Sequence, residues 1–469
     1  MSGHRNPDPP PPPPPPAHAE VVRDWRGRSY RVGPTARVLT GVPRPVVLAR
    51  ALAAVAAIGV LQFGYGAAVP ALIDAHGWSP VQALVPFLLW TLFQGATAPL
   101  PHHLGARRLL TPGQTVGTGA VLCAAALLAL GHVSAPVPAA LAYGVLGGVG
   151  AGLVYHSCAD LVGGWFPDRP GIRFGAVGGA FALGAVPLLP ALALAPSPAL
   201  LPSATTVLAS AVLLLGLVGG VGQRHAPRRW WPPGADPRAV ALRGDADPPA
   251  AADFSTAQAW ASGPSLPALH AVVALSGAGG LFTIAVLPLV LVAADRPAVE
   301  TAAAVTAFAA ASGLGRIASG AAVERTGRRR LLCVLLGAAA LALAGLAVVA
   351  QTGPAVLLVA LAAVAGAGTG SCYPLSRAVT EAHFGSDRAA GIPRLVHSSK
   401  AVGGLLGVGG AVALLALAPT PVVASWLVTA AVALAAGALL TGALRRPFPV
   451  RTLPIRKKIW TAGRRRAPM

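Results

Sequence analysis

Arg316 and Lys400 are basic side chains deep inside long apolar stretches. Placing an ionisable group in a bilayer core costs about 2.5 to 3.5 kcal/mol on insertion scales, so each needs a chemical reason. Arg316 comes eight residues before Glu324, the acid that closes its stretch. At 1.5 Å of rise per helical residue that depth is roughly 12 Å, and Lys400, about nine residues into its own stretch, lies at roughly 14 Å. Tyr155 and Tyr373, measured from the same side, fall at roughly 12 to 14 Å. The acids within the apolar stretches, Asp160, Glu300 and Glu381, all stand near stretch ends. Two buried cations with no acid at their depth repel one another and stay poorly solvated until an anion arrives. A guanidinium can grip a carboxylate bidentately while an ammonium acts as a point charge on a second one. This pairing suits a small carboxylate, a dianion better than a monoanion. Tyr155 and Tyr373 can donate hydroxyl hydrogen bonds or wall such a site with their rings.

A second tier surrounds these four. Gln62 and Tyr65 fall in the outer half of the first apolar stretch. His156 follows Tyr155, and His397 stands one turn before Lys400, where it could carry a proton or tune the lysine; both also fit as helix-packing histidines. Lys400 is the only lysine before the C-terminal tail of a chain that otherwise uses arginine.

The elements that hold these residues follow from composition. The chain has 469 residues, 54% of them apolar and only 11% charged, with a mean hydropathy of +0.65. That leaves too little polar surface for a water-soluble globule, which excludes soluble enzymes and fibrous proteins. Twelve stretches reach spanning length, near 46–72, 81–101, 109–131, 137–163, 171–194, 200–222, 266–293, 298–323, 331–351, 355–382, 391–417 and 421–444. The prediction is an all-α integral membrane protein of twelve transmembrane helices in two six-helix bundles, 46–222 and 266–444. A proline-rich loop over 223–265 joins them. Residues 1–45, with prolines at 9–16, are predicted to be a disordered tail, and 445–469 a basic tail lying on anionic lipid.

The net charge of +21 has a position rather than a nucleic-acid partner to explain it. With the N-terminus inside, the inner segments hold 31 basic residues and the outer loops one, Arg296. Short loops rich in arginine stay cytoplasmic, so both termini are predicted to lie there, in the cell membrane. The halves also repeat. Gly150-x-Gly152-x-x-Tyr155 recurs as Gly368-x-Gly370-x-x-Tyr373, and Phe166 with Asp168-Arg169 recurs as Phe384 with Asp387-Arg388. A parallel duplication accounts for both. The run Gly147 to Gly152 lies inside a spanning stretch with no strand before it, so it reads as a packing face, not a dinucleotide fingerprint. The cysteines, Cys123, Cys158, Cys333 and Cys372, lie in apolar runs and imply no disulfide framework.

Gly320-x-x-x-Glu324-Arg325-x-Gly327-Arg328-Arg329, between the eighth and ninth stretches, resembles the loop motif of the major facilitator superfamily. The first-half copy has His102 where an acid is usual. More narrowly, the chain resembles the oxalate/formate antiporter family. The matching features are Trp165-Phe166-Pro167-Asp168-Arg169, the glycine-rich steps from Gly171 to Gly184, Gly313-x-Gly315-Arg316, and Ser399-Lys400-Ala401 with Gly403-Gly404. The resemblance implies that Arg316 and Lys400 bind the substrate carboxylates. It departs at Ser312, where an asparagine is common, and at Thr369, where an aromatic can wall the site.

These readings predict a secondary transporter, not an enzyme, that exchanges small organic anions by alternating access. No cofactor or metal is expected, and the chain is read as a monomer. Arg316, Lys400, Tyr155 and Tyr373 are the expected substrate contacts, with Gln62, Tyr65, His156, His397 and Thr369 behind them. Gly320, Glu324, Arg325, Gly327, Arg328, Asp168 and Arg169 are the expected gate and loop residues. A proton-coupled monocarboxylate symporter is the alternative within the class, and a non-transporting receptor or scaffold the alternative outside it.

Overall fold

The computed structural model describes residues 20–24, 27–194, 198–242, 250, 252–323, 325–385, 391–417 and 423–447. All twelve expected stretches are helical. Among the described residues ten helices are long and apolar enough to cross a membrane unaided. In chain order these are span 1 (Arg44–His76), span 3 (Pro112–His132), span 4 (Pro136–Trp165), span 6 (Pro198–Gly220), span 7 (Ser265–Ala293), span 8 (Ala298–Ala322), span 9 (Arg328–Thr352), span 10 (Ala355–Phe384), span 11 (Ile392–Leu417) and span 12 (Ser425–Ala443). Span 2 is a pair of helices, Pro80–Ala96 and Leu100–Ala106, bent by 41° and apolar enough to cross when taken together.

Span 5 departs from a single unbroken helix. It runs as Pro170–Leu183 and then Leu189–Leu194. Pro187 has no N–H to continue the ladder. Residues 185, 186 and 188 bond three residues back instead, to the carbonyls of Ala182, Leu183 and Ala185. Prolines within spans 1, 2, 7 and 10 are tolerated because neighbouring helices surround them.

The main packings between the first six spans and the last six are span 5 on span 8, span 2 on span 11 and span 1 on span 7, with span 10 also meeting span 5. The first is the most extensive. The backbones of Gly171 and Gly320 approach so closely that a Cβ on either would strike the other's carbonyl oxygen. Small residues let membrane helices approach in this way.

The disordered tail expected over 1–45 is corrected where it is described. Strands β1 (Glu20–Arg23) and β2 (Ser29–Val32) form an antiparallel hairpin, and β2 pairs in parallel with β3 (Trp230–Trp231) from the central loop. Asp24 closes the hairpin turn, accepting from the Arg28 amide at 2.9 Å and the Tyr30 hydroxyl at 3.0 Å. The tryptophans supply the apolar surface that the tail lacks. Both are buried; Trp230 meets Trp165 edge-on at 4.9 Å, and Tyr30 meets Trp231 at 5.0 Å. Farther along the loop Phe254 docks on the end of span 10, its amide donating to the Phe384 carbonyl at 2.8 Å. The proline run, Glu324, Asp387-Arg388 and the basic C-terminal tail from residue 448 onward lie outside the described residues.

Candidate functional site

Lys400 and Arg316 are buried, at 3% and 4% exposure, in spans 11 and 8. The Arg316 guanidinium carbon lies 5.3 Å from the ring centre of Tyr373, 5.7 Å from that of Phe63 and 5.9 Å from that of Phe181. The Lys400 ammonium lies 5.3 Å from the ring of Trp90, 5.6 Å from Phe181 and 5.8 Å from Tyr373. Phe181 and Tyr373 therefore stand against both cations, and the two charges share one aromatic chamber. Rings within about 6 Å attract a cation by their quadrupole but do not neutralise it.

Each cation also has a neutral acceptor. Lys400 Nζ donates to Gln62 Oε1 at 2.6 Å, and Arg316 Nη1 donates to the Gly178 carbonyl at 2.8 Å. Arg316 Nε is buried with no hydrogen-bond partner. Among the described residues no carboxylate pairs with either cation. The acids seen in ion pairs are engaged elsewhere: Asp168 with Arg44, Glu300 with Arg296, Glu381 with Arg377 and Asp160 with Arg394.

Local sequence explains the close fit around Arg316. A Cβ at Gly178 would stand 3.2 Å from Arg316 Cδ and 3.5 Å from the Tyr155 hydroxyl oxygen, so glycine there lets span 5 meet the arginine. Tyr155 packs on Phe181 at 5.4 Å and on His397 at 5.6 Å. His397 in turn meets His156 edge-on at 4.6 Å and Tyr373 at 5.3 Å. The Nε2 atoms of both histidines are buried and unpartnered.

The rings of Tyr155, His156, Tyr373 and His397 line one side of a cavity that extends toward the end of the molecule carrying the central loop. Its far wall includes Asp160, Phe174, Arg377 and Arg394. Arg394 grips Asp160 through Nε and Nη2, at 3.1 and 2.9 Å to one carboxylate oxygen. Arg377 lies 3.4 Å over the Phe174 ring while bonding Glu381 at 2.9 Å. Each of these contacts with Asp160 and Phe174 links one half of the chain to the other. In the loop beyond them His225 is pushed below the ordinary histidine range by burial; Asp160 opposes that shift and Arg394 adds to it.

The structure thus brings together Arg316, Lys400, Tyr155, Tyr373, Gln62, His156 and His397. It places two expected residues apart. Tyr65 donates to the Ala83 carbonyl at 2.7 Å and stacks on Phe87, so it packs spans 1 and 2 together. Thr369 bonds the Ala365 carbonyl of its own helix and faces Gly280 of span 7. Of the gate residues, Asp168 pairs with Arg44, whose guanidinium lies 4.3 Å over the Phe166 ring. Arg169 precedes span 5 as its N-terminal flanking residue, and Gly320 makes the contact with Gly171. Arg325, Gly327 and Arg328 lie in the turn into span 9. Phe63, Trp90, Phe181 and Arg394 were not singled out by sequence. The scarcity of aromatic residues, 5% of the chain, was the signal available for the first three.

The sequence model of the Major Facilitator Superfamily matches residues 51–408. No curated protein matches the chain. Among solved structures, the chain is similar to a crystal structure of the nucleoside transporter NupG, with a TM-score of 0.60 and 12% identity. The match covers 85% of this chain and 100% of that one, a likeness of fold. The chain belongs to the major facilitator superfamily and is a multi-pass membrane transporter.

Proposed function

We propose that the chain carries small organic anions, mono- or dicarboxylates of the oxalate/formate type, and exchanges one for another by alternating access. The observation that carries this reading is the pair Arg316 and Lys400, buried against the same two rings with neutral acceptors and, among the described residues, no carboxylate beside them. A carboxylate on the unpartnered Nε edge of Arg316 and a second on Lys400 neutralises what the protein leaves charged. An anion-loaded chamber then closes around a compensated pair, whereas an empty one closes around two positive charges. Exchange follows from that difference.

A nucleoside, the substrate class named for NupG, is neutral and gives the two cations nothing to neutralise. The membrane is taken to be the cell membrane, with the basic central-loop end toward the cytoplasm. The test is uptake of radiolabelled oxalate into proteoliposomes preloaded with oxalate, formate or buffer. Uptake that needs an internal anion supports exchange. No uptake removes oxalate and takes the assay to malonate, lactate and pyruvate, and no uptake of any of these removes the anion reading.

One observation favours a second reading, proton-coupled monocarboxylate symport. His156 and His397 stand edge to face beside the tyrosines with both Nε2 atoms unpartnered. Lactate uptake that acidifies the lumen and needs no internal anion supports symport; unchanged internal pH removes it.

A further inference from the structure

The two cations of the chamber each take their hydrogen-bond acceptor from the other half of the chain. Lys400 of span 11 donates to Gln62 of span 1, and Arg316 of span 8 donates to the Gly178 carbonyl of span 5. The two acceptors differ in kind. The Gly178 carbonyl is backbone, fixed by the helix and present whatever residue stands there. Gln62 is a side chain, 2% exposed, and its amide oxygen is a chemical choice.

An amide oxygen satisfies an ammonium's hydrogen bond but brings no charge. It therefore lowers the cost of burying Lys400 without removing it. A leucine at that position would remove the acceptor, whereas a glutamate would keep an acceptor and neutralise the charge. From this geometry we infer that Gln62 sets how readily the carrier reorients without an anion, and so the ratio of net flux to exchange. Gln62 is on this view a positioning residue: it acts on Lys400, not on the transported molecule. The inference rests on the anion-exchange reading, because only a carrier whose cations need an anion has such a ratio to set.

The geometry also gives the direction of each change. Tying Lys400 to Gln62 joins spans 1 and 11 across the chamber, so the bond favours closure when no carboxylate occupies the lysine. An arriving carboxylate competes for the same ammonium, which has three protons to give. The amide partner thus weakens anion binding somewhat while it eases empty return. With Gln62 removed, the empty chamber closes over a lysine with no acceptor, and return through the empty form slows. With glutamate in its place, the chain itself supplies the missing charge, and the anion loses its advantage.

The experiment uses full-length protein in proteoliposomes loaded with labelled oxalate, or with whichever anion exchanges. Efflux is measured into anion-free buffer and into buffer containing the same anion. In Gln62→Leu the ratio of net efflux to exchange should fall about tenfold, the size of one hydrogen bond to a charged group. Gln62→Asn, which keeps the amide but withdraws it by one methylene, should move the same way and serves if the leucine variant folds poorly. Gln62→Glu should raise the ratio and raise the KM for the anion. Ratios within twofold of wild type in all three variants overturn the inference while leaving exchange intact. Absence of exchange in the wild-type protein with every anion overturns the exchange reading and this inference together.

Discussion

Asp160 of span 4 and Arg394 of span 11 join the two halves of the chain by a doubly hydrogen-bonded ion pair, 2.9 and 3.1 Å from the guanidinium to one carboxylate oxygen. The side chains are 13% and 12% exposed, so the pair lies largely out of solvent on the central-loop side of the cavity. Removing one member leaves the other buried without its counter-charge, which costs about 3 kcal/mol. Asp160→Asn and Arg394→Gln should each lower the thermal stability of the detergent-purified protein. The double variant should lose little more than either single one. Fully additive losses would show that the residues act separately, and the pair would then not hold the halves together.

The two cations should not be interchangeable with other basic or polar groups. Arg316→Lys keeps the charge but forfeits the planar fork that meets a carboxylate with two parallel bonds. An anion KM raised tenfold or more is expected, equivalent to about 1.4 kcal/mol. Lys400→Gln removes a charge and should weaken a dianion more than a monoanion. Exchange kinetics of oxalate against formate read both effects. Equal losses for the two anions in Lys400→Gln would argue that Lys400 does not meet a second carboxylate.

The architecture was legible because its signals are long and repeated: hydropathy runs of spanning length, arginine-rich loops on one side and a duplicated glycine-tyrosine pattern. The chamber was legible in its charges, since a lysine or arginine inside an apolar run stands out by cost alone. Its rings were not, because Phe63, Trp90 and Phe181 look like ordinary apolar residues until packing turns them toward a cation. Arg394 does not stand out in sequence because its partner Asp160 lies 234 residues away. The tail reads as structureless in sequence for the same reason: the surface that the strands Glu20–Arg23 and Ser29–Val32 meet is supplied by Trp230 and Trp231, far along the chain. Depth along a helix says nothing about its face, and so Tyr65 and Thr369 were placed beside the site although they pack elsewhere.

Span 5 offers a way to separate closure from binding, because its glycines do different jobs. Gly171 meets Gly320 backbone to backbone, where neither atom can move aside. Gly171→Ala should therefore force the helices apart, costing about 1 to 3 kcal/mol, and slow exchange without favouring any substrate. Gly178→Ala meets Arg316 Cδ at 3.2 Å, a contact the flexible side chain can relieve by shifting. That variant should lose less stability and show its effect in the anion KM. Thermal melts and exchange kinetics on both test the distinction; identical profiles would sink it.

The sheet formed by the tail and the central loop predicts a stability effect with no transport signature. Trp230 is 4% exposed, donates through its indole N–H to the Pro34 carbonyl at 3.0 Å and packs on Trp165. Trp165 itself donates to the Arg224 carbonyl at 2.8 Å, so the end of span 4, the loop and the tail are linked through one indole pair. None of these residues reaches the chamber. Trp230→Ala removes the ring that packs on Trp165 and the N–H that holds Pro34, and loss of a buried aromatic costs about 3 kcal/mol. The melting temperature should fall while the anion KM stays at the wild-type value. Trp230→Phe keeps the ring contact but not the indole N–H, and should recover most of that loss. A raised KM in Trp230→Ala would mean that the sheet acts on the site, and the separation argued from its position would fail.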